Sequence, residues 1–236
     1  MIHIYRREFC NYFRTPVGYV FLTILLASGG ILFFSNNLYG GYGDLDTLFY
    51  NLSYLLMLLT PVLTMRLLSE ERKTKTDQLV LTSPVSLSAV VVGKYLAAMT
   101  VLLIGTAAML IYVAIIGIYG QLHLGLLLTN SLGFLLLGGI YLAIGILISS
   151  LTESQLNAAL LTFGANLLIQ FLETVALQLS KTIYPMRLVL SVFSLYRRYD
   201  AFTIGLISPA SIVYYLAFIS VLLFFTVRIL DQRRWR

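Results

Sequence analysis

The residues that could do chemistry in this 236-residue chain are few and widely spaced. Gly93 and Lys94 look like the end of a phosphate-binding loop, but Tyr95 stands where that loop needs Ser or Thr. The chain also has no H-E-x-x-H zinc motif, no G-x-S-x-G nucleophile motif and no G-x-G-x-x-G dinucleotide motif. We therefore predict a chain without catalytic residues, metal ligands or a cofactor of its own.

Three polar residues, Asn166, Gln170 and Glu173, lie three to four positions apart in an apolar stretch and share one face of a predicted helix. They could line a path for a substrate. The alternative is that they bond to neighbouring helices, with Glu173 close to the outer headgroups. A charge at the bilayer centre costs about 2.5–3.5 kcal/mol. Because intramembrane carboxylates are so scarce here, we disfavour a secondary transporter.

A dense polar segment, residues 66–79, separates two long apolar stretches. It mixes acidic and basic residues, and Glu71 and Lys75 are spaced i,i+4 in the order that favours a helix. Leu79 and Leu81 then add an apolar side. We interpret the segment as a short helix that docks into a groove on a partner protein; the alternative is an ordinary loop that follows the positive-inside rule.

The elements that must position these residues are membrane helices. The chain is 59% hydrophobic and 11% charged, whereas a soluble domain carries about 25% charged residues. A membrane span needs roughly 20 apolar residues, so the length allows six spans and no separate soluble domain. The net charge of +6 lies between the apolar runs rather than in one patch, which disfavours nucleic acid as a partner.

The sequence predicts a single all-α polytopic membrane domain over residues 1–236. An amphipathic helix at 1–15 lies in the headgroup plane, and Pro61 kinks the second span. The third span has its first turn at the membrane surface near Lys94. The predicted spans cover residues 17–35, 48–68, 90–118, 125–148, 156–177 and 209–230. A docking loop covers 70–86. The stretch 178–208, in which charged residues interrupt the apolar ones, is predicted to lie on the extracytoplasmic side of the membrane.

The distribution of basic residues predicts the orientation of these spans. Twelve of the 16 lysines and arginines lie on the side of the N-terminus, and the other four, Lys181, Arg187, Arg197 and Arg198, lie on the far side. Both termini and the polar segment are therefore predicted to be cytoplasmic.

The polar segment resembles the first cytoplasmic loop of ABC-2 type transporter permeases, and most closely that of the gliding-motility-associated group. The resemblance is carried by the pattern Arg66-x3-Glu70-Glu71-Arg72-x3-Thr76-x2-Leu79-x-Leu81-Thr82-Ser83-Pro84, followed by Gly93-Lys94-Tyr95. The segments 150–155 and 199–205 support it, and it covers essentially the whole chain. One departure is Lys75, where many relatives have glycine.

This resemblance implies a fold similar to that of type V exporters, with six spans, an N-terminal interfacial helix and a cytoplasmic coupling helix. The coupling helix docks on a separate ABC ATPase subunit, which binds ATP and Mg²⁺. The residues implied in this contact are Glu70, Glu71, Arg72, Thr76, Leu79, Leu81, Thr82, Pro84 and Glu153. Two permeases, identical or different, and two ATPases form the implied working unit. Its expected place is the bacterial cytoplasmic membrane, where it exports or translocates an unidentified substrate.

An alternative function stays open. The complex could move nothing across the bilayer and instead pull on an extracytoplasmic accessory protein through the 178–208 segment. The contacts would then be Arg197, Arg198, Tyr199 and Phe202. An intramembrane enzyme is a third hypothesis, which the missing nucleophile and metal motifs disfavour.

Overall fold

The computed structural model describes residues 1–39, 46–76, 85–119, 124–178 and 194–234. These residues are almost entirely helical and contain no strand. The helices are Ile2–Arg14, Pro16–Phe33, Asp46–Thr64, Ser69–Lys73, Leu87–Ala108, Leu110–Tyr119, Leu124–Leu151, Gln155–Gln178, Tyr196–Thr203 and Pro209–Arg234, and a π-helical turn, Phe34–Tyr39, extends the second of them.

Six helical stretches in the described residues are long and apolar enough to cross a membrane, which confirms the predicted fold class. We name them spans one to six. The main helices of these spans are Pro16–Phe33, Asp46–Thr64, Leu87–Ala108, Leu124–Leu151, Gln155–Gln178 and Pro209–Arg234. We call Ile2–Arg14 the first helix, Ser69–Lys73 the short helix and Tyr196–Thr203 the loop helix.

Span four is the central helix of the bundle and packs against spans two, three, five and six. Two thirds of the residues in the apolar stretch of span four are buried inside the protein, whereas only 22% are buried in the apolar stretches of spans five and six. Small residues explain this position, because they let neighbouring backbones approach closely in lipid. A Cβ atom on Gly138 would lie 2.5 Å from the Leu102 side chain, and one on Gly145 would overlap Thr64.

The first helix packs onto the bundle as well as presenting a basic face. The Tyr12 hydroxyl donates a hydrogen bond of 2.8 Å to the carbonyl oxygen of Leu63 in span two. The Tyr5 hydroxyl lies 3.1 Å from Oγ1 of Thr100 in span three. Glu8, on the polar side of this helix, is buried. The first helix is therefore hydrogen-bonded to spans two and three.

The helix of span two breaks before residue 68, where the sequence predicts the span to end. This helix stops at Thr64, and a turn at residues 65–68, which we name the elbow, leads into the short helix. The short helix ends at Lys73, and Lys75 adopts a positive φ of 57°. The remainder of the predicted docking helix falls on residues 77–84, outside the described part of the chain.

Candidate functional site

The elbow is held by polar side chains from two other spans. The Ser149 hydroxyl of span four accepts hydrogen bonds from the backbone amides of Leu68 and Ser69, at 3.2 and 3.1 Å. The Lys94 ammonium of span three donates to the Leu67 carbonyl oxygen at 2.6 Å. A helix break exposes amides and carbonyls that cannot stay unpaired when buried. Ser149 and Lys94 provide these partners, so the turn is firmly tied to spans three and four.

Lys94 also stands at the centre of an ion-pair network. Its side chain is 1% exposed, and Nζ lies 3.2 Å from Oε1 of Glu8 and 2.9 Å from Oε1 of Glu71. The Arg7 guanidinium closes the network from outside, with Nη2 at 2.7 Å from Glu8 and 2.8 Å from Glu71. Two cations and two carboxylates thus balance one another. The network joins the first helix, the short helix and span three.

A second ion pair lies along the elbow itself. The Arg66 guanidinium donates two hydrogen bonds to the Glu70 carboxylate, at 2.7 and 2.9 Å. These bonds are the main reason that the pKa of Glu70 is lowered below its ordinary value, and they outweigh the opposing effect of burial. Burial by itself would lower the pKa of Arg7. The neighbouring carboxylates of Glu8 and Glu71 more than offset burial, so the pKa of Arg7 is raised. Glu70 and Arg7 are therefore charged at neutral pH.

Arg72 joins the short helix to the link between spans four and five. Its Nη1 donates to the Leu151 carbonyl oxygen at 2.7 Å, and its Nη2 lies 2.7 Å from Oε1 of Glu153. The sequence predicts both Arg72 and Glu153 as contacts of a partner protein, and the structure brings the two together. The short helix and the link between spans four and five therefore form one continuous surface. We call this end of the bundle the basic end.

A cleft of about 410 Å³ opens between the first helix, the elbow and the short helix. Its charged lining consists of Arg7, Arg66, Lys94, Glu8, Glu70 and Glu71. Positive and negative side chains are equal in number, so the cleft does not concentrate one sign of charge. Within the described residues, no three His, Cys, Asp or Glu side chains group closely enough to hold a metal ion. The arrangement can position helices and transmit force between them.

The outer surface of the basic end is formed by the residues that follow the charged network. Lys73, Thr74, Lys75 and Thr76 are exposed, and the Glu153 side chain is 67% exposed. Lys75 sits in the left-handed region of backbone conformation, where glycine is favoured over residues with a Cβ atom. The physical demand at this position agrees with the glycine that the resemblance assigns to many relatives.

The structure brings together five of the residues predicted to contact a partner: Glu70, Glu71, Arg72, Thr76 and Glu153. Leu79, Leu81, Thr82 and Pro84 lie outside the described residues.

The predicted pairing of Glu71 with Lys75 is wrong. The helix ends two residues before Lys75, and Glu71 instead turns inward to Arg7 and Lys94. Glu71 therefore serves mainly in ion pairs within the chain, rather than as a charge available to a partner protein.

At the opposite end of the bundle, Glu173 is buried and caps the loop helix. Its Oε1 accepts hydrogen bonds from the Ser194 hydroxyl at 2.6 Å and the Arg197 amide at 2.7 Å, and its Oε2 accepts one from the Tyr196 amide at 3.0 Å. A carboxylate is well placed there, because helix N-termini carry unpaired amides and partial positive charge. This geometry favours the interpretation that Glu173 links span five to the loop helix over the interpretation that it lines a substrate path.

Asn166 is fully buried and donates to the Met57 carbonyl oxygen of span two at 3.3 Å. Gln170 is partly buried on the same helix. Their use in a translocation path stays a prediction.

The predicted extracytoplasmic contacts divide into two kinds. Tyr199 and Phe202 are fully buried against the bundle, so a free surface contact by these side chains is excluded in this structure, and that prediction is corrected. Arg197 is exposed. Arg198 stacks on the Tyr214 ring, with its guanidinium carbon 3.9 Å from the ring centroid. Tyr199 and Phe202 belong to the core, where they anchor the loop helix against the bundle.

The sequence analysis missed the bonding roles of Lys94, Glu8 and Ser149. Its expectation that the first turn of span three lies at the membrane surface near Lys94 stays a prediction. A signal existed for Lys94: it is the one charged residue between positions 85 and 119. A single charge inside an otherwise apolar helix requires a partner. No local signal identifies Ser149, because an isolated serine in a span is common.

Comparison with known proteins identifies a family for this chain. A family model described as ABC-2 family transporter protein matches residues 51–233, which include the elbow, the short helix and spans three to six. A search of curated proteins finds no match.

Proposed function

This chain belongs to the ABC-2 transporter family, whose members are membrane permease subunits, and we propose that its basic end receives mechanical work from a separate ATPase subunit. In this proposal the ATPase docks on the short helix and the link before span five, and binds ATP and Mg²⁺ itself. Its motion moves the ends of the spans and so drives export or translocation of a substrate. In this proposal Gly93 and Lys94 do not bind nucleotide, and the burial of Lys94 in the ion-pair network supports this.

The single observation that carries this proposal is the buried attachment of the elbow. Ser149, Lys94 and Glu71 tie the elbow and the short helix to spans three and four and to the first helix. A displacement of the short helix must therefore move these spans, because the bonds leave little slack and an unpaired buried charge is costly. The surface beyond, Lys73 to Thr76, is exposed and free to meet a partner.

Several further features belong to the same proposal. The basic end faces the cytoplasm, in a bacterial cytoplasmic membrane, as the excess of lysine and arginine on that side predicts. A second permease, identical or different, completes the membrane part. The proposal also assigns the chain to the gliding-motility-associated group of permeases, which its polar segment resembles. The burial of Tyr199 and Phe202 gives no support to the alternative of pulling on an extracytoplasmic partner.

The test reverses two exposed charges without touching the internal network. We expect Lys73→Glu/Lys75→Glu to abolish copurification of the cognate ATPase, because the docking surface changes its sign of charge. The temperature of unfolding of the purified permease should stay the same, since both side chains are exposed. Copurification from detergent and thermal unfolding are the two measurements.

Arg6→Glu/Arg14→Glu is the matched control, with the same change in net charge on exposed residues of the first helix. It should keep the ATPase bound. If the ATPase binds the Lys73/Lys75 variant as well as the parent, or never copurifies with the parent, the proposed docking is wrong.

A further inference from the structure

Span two carries a proline whose consequences fall on one carbonyl group. Pro61 has no amide proton, so the carbonyl oxygen four residues earlier, on Met57, loses its helical hydrogen bond. In this structure the side-chain amide of Asn166, in span five, donates to that oxygen at 3.3 Å. Asn166 is fully buried. A neighbouring span thus replaces the proton that the proline removes, as membrane helices with proline require.

A second donor for the same oxygen lies unused in span two. Thr60 is fully buried, and its hydroxyl has no hydrogen-bond partner among the described residues. Threonine hydroxyls in helices bond to the carbonyl three or four residues earlier, and Met57 lies three residues before Thr60. Oδ1 of Asn166 is also buried and unpaired within the described part of the chain. Such groups are costly in an apolar interior.

The half of span two beyond Pro61 is tied to span four. Thr64 packs against Gly145, and the elbow that follows is bonded to Ser149. The backbone hydrogen bond from the Met65 amide to the Pro61 carbonyl oxygen continues the helix beyond the proline. The Thr64 hydroxyl also donates to the Thr60 carbonyl oxygen. The missing bond at Met57 is therefore the weak point between the upper half of span two and the part that the elbow moves.

We propose that Pro61 is a hinge with two alternative latches on the Met57 carbonyl oxygen. Asn166 of span five holds the hinge in the conformation of this structure. In the second conformation span two bends at Pro61, Asn166 releases, and the Thr60 hydroxyl takes its place. The proposal rests on the proposed function, because the pull on the elbow is what drives the bend. It assigns Asn166 and Thr60 as positioning residues.

The first test is a double-mutant cycle on the purified permease in detergent. Asn166→Leu removes the donor at similar volume, and we expect it to raise the unfolding equilibrium constant about threefold. In a Pro61→Ala background the Met57 oxygen regains its helical partner, so the same substitution should change this constant by much less. Thr162→Val is the matched control, because its hydroxyl bonds within its own helix, and its effect should not depend on Pro61.

The second test measures the hinge directly. Cys10, the single cysteine, is replaced by serine, and spin labels are placed at Tyr50 and Lys73, exposed positions above and below Pro61. The distance between the two spin labels, measured by double electron–electron resonance in lipid nanodiscs, should show two populations. Asn166→Leu should favour the bent population, and Thr60→Val the population with the label distance of this structure.

Equal effects of Asn166→Leu with and without Pro61 would overturn the latch, as would one unchanged distance in all variants. If Asn166→Leu does not fold, Thr60→Val still decides the distance test. Both tests use the permease alone. Failure of the ATPase to bind would therefore refute the proposed function and leave these outcomes standing.

Discussion

Lys94 is the one charged residue between positions 85 and 119, and the fold buries its side chain almost completely. Moving a charge out of water costs several kcal/mol unless partners compensate it. Two carboxylates and a backbone carbonyl surround this group. The balance is met only when the first helix, the elbow and span three are assembled, so the residue acts as a checkpoint for correct packing.

We expect Lys94→Met to destabilise the folded permease by about 3 kcal/mol, because it leaves Glu8 and Glu71 close together with Arg7 as their remaining cation. Adding Glu71→Gln should recover part of the loss, since one of the two carboxylates is then neutral. Unfolding of the purified protein in detergent, by heat or by denaturant, is the measurement.

Lys73→Met provides the comparison, because Lys73 is an exposed lysine a few residues from the same network. It should change the free energy of unfolding by no more than about 0.5 kcal/mol. Equal stability of the two lysine variants would show that the buried network contributes nothing.

At the scale of the elements, span two and span four form the contact on which the elbow depends. Gly145 lets span four approach Thr64 so closely that no Cβ atom fits between them. One turn later, on the same face of span four, Ser149 bonds the elbow. The close approach and the hydrogen bonds act together, since Ser149 reaches the elbow amides only if the two helices are in contact.

We predict that Gly145→Ala destabilises the permease by about 1–3 kcal/mol through overpacking. The elbow should also become more mobile, which a spin label on Thr74 would detect as faster motion. Gly164→Ala is the matched control in span five, because nothing lies within 4 Å of its added methyl group. It should be neutral or slightly stabilising, as alanine favours a helix over glycine. A Gly145 variant as stable as the Gly164 variant would contradict the close contact.

At the scale of the whole molecule, the six spans place the first helix, the elbow and the link before span five at one end, and the loop helix at the other. Spans five and six have the least buried surface, so much of their apolar area is available to lipid or to a second subunit. The basic end combines exposed charge with hydrogen bonds and ion pairs to several spans.

Cysteine labelling tests which side each end faces. In a Cys10→Ser background, we expect Arg197→Cys to react with a membrane-impermeant maleimide in intact spheroplasts. Thr76→Cys should react only after permeabilisation, because the basic end is proposed to be cytoplasmic. Glu153→Cys should behave like Thr76→Cys, since Arg72 joins their segments. Labelling of Thr76→Cys in intact spheroplasts would invert the orientation and remove the basis for ATPase docking.

The sequence by itself determined the fold class and the place of the candidate surface. Apolar stretches near 20 residues long predict membrane spans because the solvent preference of each segment is a local sum over its side chains. The same reasoning identifies the mixed-charge segment at Glu70 to Thr76, since charges collect where the chain leaves the apolar phase. Pro61 predicts a kink for an equally local reason, the absence of its own amide proton.

The tertiary structure alone decided which groups meet. Glu71 turns to Lys94 instead of Lys75, Glu173 caps a helix more than 20 residues away, and Asn166 serves the carbonyl that Pro61 leaves unpaired. These partners are distant in sequence, and a polar residue in a span demands some partner without specifying which. The choice follows from helix packing, in which small residues such as Gly145 set the approach of one backbone to another.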